Sequence, residues 1–154
     1  MKKLKFLPII LLFIILNACG YSRLSDKSNE LKINTIEING DKRLAYTLKN
    51  KLALLSKTES VNTYDISINL INSKTSRIKD ATGKTTRFNL VLNGDLKLTN
   101  NKKVVYNRMF TVSNDYDVSK NHSDTIRNEK NSIQNNVDTL SEEITKYIQL
   151  INLN

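Results

Sequence analysis

Apolar and polar residues alternate along this chain in runs of two distinct periods, separated by short polar breaks. Leu31 to Ile38 alternates imperfectly: Leu31 and Ile33 share one parity and Ile36 and Ile38 the other. The shift predicts a short strand with a bulge near Asn34-Thr35. Asn39-Gly40-Asp41 then breaks the pattern, with Asp41 placed to cap a helix. Leu44, Leu48, Leu52 and Leu55 follow at helical spacing and predict a helix over about Lys42 to Lys57. Period two returns from Tyr64 to Ile71, where Ile66, Ile68 and Leu70 alternate with Asp65, Ser67 and Asn69. That is the mark of a strand buried on one face only.

The polar stretch from Asn72 to Thr86 reads as a connecting loop, with a turn at Asp80-Ala81-Thr82-Gly83. A strand follows from Arg87 to Leu98, its apolar face carrying Phe88, Leu90, Leu92, Leu96 and Leu98. Gly94 keeps that parity and marks a bend. Asn100-Asn101-Lys102 predicts a hairpin loop, and Val104 to Val112 runs back beside it, with Arg108 out of place among Val104, Tyr106, Phe110 and Val112. Ile126, Ile133, Val137, Leu140, Ile144, Ile148 and Ile151 repeat at helical spacing and predict an amphipathic helix over Ser123 to Leu150.

The order is β-α-β-β-β-α. A right-handed crossover makes the first two strands parallel, and the rest form a meander. Each helix has one apolar stripe and each strand one apolar face. The economical arrangement is an α/β two-layer sandwich, with two helices on one face of a four-stranded mixed sheet. Its other face is polar, and is either wet or covered by a partner. Residues 31–154 make one such domain.

The first residues follow another logic. Lys2, Lys3 and Lys5 precede an apolar run from Phe6 to Leu16, the layout of a secretory signal. The run is too short for a stable membrane span, which takes roughly 20 residues. Leu16-Asn17-Ala18-Cys19-Gly20 resembles a bacterial lipobox, in which the cysteine thiol accepts diacylglycerol and the new amino terminus is then acylated. Two or more acyl chains anchor a protein stably, each buried methylene adding about 0.8 kcal/mol. Residues 1–18 are therefore expected to be a cleaved lipoprotein signal peptide. Residues 19–30 would be the lipidated Cys19 and a polar tether able to reach about 35 Å when extended. Gly20 stands where an aspartate would favour inner-membrane retention, so the expected location is the outer membrane, on its periplasmic side.

Composition removes several functions. A single cysteine allows no internal disulfide or thiolate metal site, and His122 alone makes no histidine cluster. Four scattered glycines provide no phosphate cradle, and no serine elbow or paired carboxylates accompany His122 in its polar loop. The chain is not expected to be an enzyme or to need a metal or cofactor. Its formal charge of +9 accompanies a general richness in Lys, Asn and Ile. An exported protein has little access to nucleic acid, so the basic balance does not point there.

One local concentration of charge stands out. Lys74, Arg77, Lys79, Lys84 and Arg87 fall in the expected loop between the second and third strands, against the single acid Asp80. The topology sets that loop at the same sheet end as Lys120, opposite the tether and about 20 Å or more from it. Such a cationic tip either binds phosphate groups, arginine bidentately, or is a solvated loop in a lysine-rich chain.

The lipobox cysteine with Gly20 and Tyr21 resembles the start of the LPS-assembly lipoprotein family LptE. So do Gly83-Lys84-Thr85-Thr86-Arg87-Phe88-Asn89-Leu90, the later hairpin, the Asn114-Asp115-Tyr116 segment and the amphipathic last helix, in the same order over nearly the whole chain. The resemblance implies a two-layer α/β sandwich that plugs the LptD β-barrel, assists its assembly and contacts lipopolysaccharide. It implies lipid-contacting positions near Lys79, Lys84 and Lys120. An accessory lipoprotein of another envelope lipid-transport complex is the alternative, and a periplasmic enzyme or enzyme regulator the third class.

Overall fold

A computed structural model describes residues 32–54 and 63–151. The elements are β1 (Lys32–Asn39), α1 (Lys42–Ala53), β2 (Thr63–Lys79), β3 (Thr85–Asn100), β4 (Lys103–Asp117) and α2 (His122–Ile151). They form the expected order and a four-stranded sheet arranged β1-β2-β3-β4. β1 and β2 are parallel, while β2, β3 and β4 are successively antiparallel. The register of β1 slips between Ile33 and Thr35, where the change of parity predicts a bulge.

Local chemistry accounts for the element ends. The Asp41 carboxylate accepts hydrogen bonds from the Arg43 and Leu44 amides at 2.9 and 3.2 Å, satisfying donors that the first turn of α1 leaves open. Gly40, at φ +124°, makes the turn out of β1, and a Cβ there would overlap the Leu70 carbonyl oxygen. The β3–β4 turn is tighter than the expected three-residue loop. Asn100 pairs with Lys103, and Asn101 and Lys102 hold φ values of 48° and 64°, as a two-residue hairpin turn of matching twist requires.

The core lies between the sheet and the helices. Leu48 and Leu52 of α1, Ile66 and Ile68 of β2, Leu92, Leu96 and Leu98 of β3, and Leu140, Ile144 and Ile148 of α2 belong to one buried cluster, all essentially inaccessible. At Gly94 a Cβ would come within 3.2 Å of Leu140 Cδ2, so this glycine sets how closely α2 approaches the sheet. Asn136, buried on α2, donates to the Leu90 carbonyl at 3.1 Å and so satisfies its amide in the core. Arg108 keeps its place in the apolar parity because its guanidinium lies over the Phe110 and Tyr147 rings, 5.2 and 4.7 Å from their centroids.

The largest departure from the sequence reading is the stretch 72–86. It is strand for most of its length: β2 runs to Lys79 and β3 begins at Thr85, leaving a turn of five residues. β1 ends opposite Asn69, so ten residues of β2 continue past it, about 33 Å of strand. β4 is extended in step, to Asp117, and takes in the Asn114-Asp115-Tyr116 segment. Periodicity cannot reveal these extensions because both faces of β2 beyond Leu70 are exposed, and polar residues there carry no alternation.

Candidate functional site

The β2–β3 turn, the ends of the long strands and the entry to α2 meet at one end of the sheet, opposite the start of β1. The turn is held by Asp80. Its Oδ1 accepts from the Thr82 amide and hydroxyl at 2.9 and 2.6 Å and from the Lys84 amide at 3.0 Å. The Thr82 hydroxyl foremost holds this carboxyl below the ordinary carboxylate range. Beside the turn, the Val118 amide donates to the Thr86 carbonyl at 2.9 Å, and the Ser119 amide donates to the Thr125 hydroxyl at 2.9 Å. These bonds dock the segment carrying Lys120 against the start of β3, so Lys120 shares the tip, as the topology predicts.

The six cations singled out in the sequence do not form one basic loop. Lys74, Arg77 and Lys79 lie within β2 and Arg87 within β3, so only Lys84 belongs to the turn. Arg77 Nη1 pairs with Asp115 Oδ2 at 2.6 Å, and Arg87 Nε pairs with Asp117 Oδ1 at 2.6 Å. Both pairs lie on the sheet face away from the helices, where Asn89 also donates to Asp115 at 2.7 Å. Asn89 first, and then Arg77, hold the Asp115 carboxyl below its ordinary range; Asp117 foremost raises Arg87.

Lys74 points to the helix side. Its ammonium is 2.9 Å from the Glu129 carboxylate and sits 4.5 and 5.2 Å from the centroids of Phe88 and Tyr116, two rings stacked 5.5 Å apart. Burial works against the Lys74 charge, but the Tyr116 hydroxyl and Glu129 outweigh it and raise its affinity for the proton. The Tyr116 hydroxyl is buried and has no hydrogen-bond partner of full distance and angle geometry among the described residues. Burial pushes this hydroxyl's own proton affinity up.

Three cations are therefore neutralised by acids that sequence distance concealed. Asp115 and Asp117 arrive on β4 and Glu129 on α2, between 30 and 55 residues from the cations they meet. Lys79, Lys84 and Lys120 are exposed and make no ion pair among the described residues. These lysines are the positive charge the tip presents to solvent. His122 is exposed at the first turn of α2, and the nearby Asp124 pairs with Arg127 at 2.9 Å and accepts from Asn121 at 3.2 Å. Cys19 and the tether lie outside the described residues.

The middle of the open sheet face carries two facing rows, Ser73–Val91–Ser113 and Ile71–Asn93–Thr111, uncharged side chains of mixed polarity with Ile71 exposed. Thr111 donates to Asn93 at 2.7 Å across β3 and β4. No described helix covers this face.

No protein-family model matches the sequence, and no curated protein does. Solved structures do resemble the fold. An uncharacterized lipoprotein B from Nitrosomonas europaea superposes with a TM-score of 0.62 at 12% identity, over 84% of this chain and 90% of its own. The rare lipoprotein B from Shewanella oneidensis gives 0.57 at 10% identity, over 75% and 93%. A minor lipoprotein from Acinetobacter baumannii gives 0.55 at 16% identity, over 80% and 92%. The two-layer sandwich of this chain is thus a fold used by bacterial lipoproteins.

Proposed function

We propose that this chain is an outer-membrane lipoprotein of the LptE kind, anchored through Cys19, that seats its domain in an LptD-type β-barrel and assists lipopolysaccharide assembly. The observation that carries this reading is the division of labour between the two sheet faces. The chain's own helices close one face into a complete core, and the other is left broad, uncharged through its middle and mixed in polarity, with Ile71 and Met109 exposed on it. A face of that kind suits a partner that engages the domain after it has folded. The fold shared with bacterial lipoproteins and the lipobox at Cys19 support the envelope setting. Lys79, Lys84 and Lys120, at the end remote from the tether, are the groups that would meet lipid phosphates. The role is one of binding rather than catalysis.

The test is a mild-detergent pull-down of the full lipidated chain. Copurification with an outer-membrane β-barrel is the expected result. Association with an inner-membrane transporter complex would replace this reading with that of an accessory lipoprotein in another lipid-transport system. Hydrolase activity that disappears with His122→Ala would overturn the non-catalytic role.

A further inference from the structure

We propose that the outer edge of β2 beyond β1, from Asn72 to Ser76, is a strand-docking site for an extended segment of a partner protein that carries carboxylate side chains. The proposal stands apart from the barrel reading, because it names a backbone edge and not the open sheet face.

The edge exists because β1 stops early. Its pairing with β2 ends at Asn39–Asn69, and Gly40 turns the chain away while lying against the Leu70 carbonyl oxygen. That carbonyl therefore faces the side from which β1 came. In a strand paired antiparallel, a residue's N–H and C=O share a side and neighbouring residues alternate. Asn72, Lys74 and Ser76 accordingly present their backbone groups outward, while Ile71, Ser73 and Thr75 turn theirs to β3. None of the outward groups has a backbone partner among the described residues. A bulge at Ser76–Ile78 ends the regular edge. An unpaired edge of this length is a template for strand addition unless it is covered.

The surroundings specify the partner. A strand laid along this edge continues the line of β1, and one set of its side chains enters a cleft of about 380 Å³ beside Asn72. Arg43, Lys130, Leu44 and Ile133 line that cleft. Its one acid, Asp41, is engaged in capping α1 through the Arg43 and Leu44 amides. Arg43 and Lys130 form no ion pair among the described residues, so a carboxylate entering the cleft finds two available cations. A second copy of this chain fits poorly. The segment from Leu70 to Lys79 holds Lys74, Arg77 and Lys79 and no acid, and self-pairing would set like charges across from one another.

The experiment titrates the full-length chain in detergent micelles with a short capped peptide alternating valine and glutamate, and follows amide hydrogen exchange by residue. The expected result is slowed exchange at Asn72, Lys74 and Ser76 with little change at Ile71, Ser73 and Thr75, which β3 already protects. Asn72→Pro deletes one outward donor without touching the β3 ladder, and should weaken binding by about tenfold. Should that variant not fold, Arg43→Glu with Lys130→Glu tests the same site through charge, and the expected result is again weaker binding. A lysine-for-glutamate peptide should also bind less. The proposal is overturned by absence of binding at millimolar peptide, by protection at the free edge of β1 or β4 instead, or by unchanged binding in a folded variant. Equal binding of the lysine peptide overturns it, as does a peptide-free dimer that protects the same amides.

Discussion

Arg77 on β2 reaches across β3 to Asp115 on β4, its Nη1 2.6 Å from the carboxylate Oδ2, while Asn89 on the intervening strand donates to Oδ1 at 2.7 Å. One carboxylate thus ties three strands together where the sheet extends beyond β1. Asn89 first, and Arg77 after it, lower the Asp115 proton affinity in the folded state. A depressed folded value stabilises the fold fully above the unfolded value, near 3.8, and that contribution is lost as pH falls through it toward the lower folded value. Asp65, bonded to Thr35 and Asn34, and Asp80 behave the same way. Thermal melts should therefore show stability falling below about pH 3.8, with a shallower fall in Asp115→Asn. Identical acid limbs in the two proteins would remove Asp115 from the account.

Gly40→Ala should destabilise the domain by about 1–3 kcal/mol, because the position combines a left-handed backbone with an obstructing Leu70 carbonyl. Denaturant melts would read this directly. A change within a few tenths would mean that the β1–α1 turn relaxes without cost.

Replacing Lys79, Lys84 and Lys120 together by alanine should weaken binding to lipopolysaccharide and flatten its salt dependence. The melting temperature should barely move, since unpaired surface side chains rarely matter to stability by more than about 0.5 kcal/mol each. Lys49, Lys97 and Lys146 make the matched control, away from the tip. Lys51 is unsuitable, because it pairs with Asp138 at 2.9 Å across α1 and α2. An equal loss in the control would show that only net charge matters.

Cys19→Ser should abolish incorporation of labelled palmitate and leave the precursor uncleaved or the protein in a soluble fraction. Persistent labelling would place the acyl chain elsewhere.

The path of the chain was legible before any tertiary contact was considered. The parity slip near Asn34, the cap at Asp41, the leucine stripe of α1, the alternation of β3 and the long stripe of α2 each report a local arrangement in which a buried face must be apolar. Those faces also decide the two-layer architecture, because every apolar stripe needs a cover and only one sheet face supplies the other half of the core. Beyond Leu70 that logic has nothing to act on. β2 is strand there because β3 supplies its backbone partners, and its side chains are free to be polar on both faces. The same blindness governs the charge of the tip. The sequence placed Lys74, Arg77 and Arg87 beside a single acid, while the fold brings Glu129, Asp115 and Asp117 to them from other elements. Local order along a chain determines which face of each element is buried. Which charges meet is decided by the register between elements, and only the folded sheet sets that.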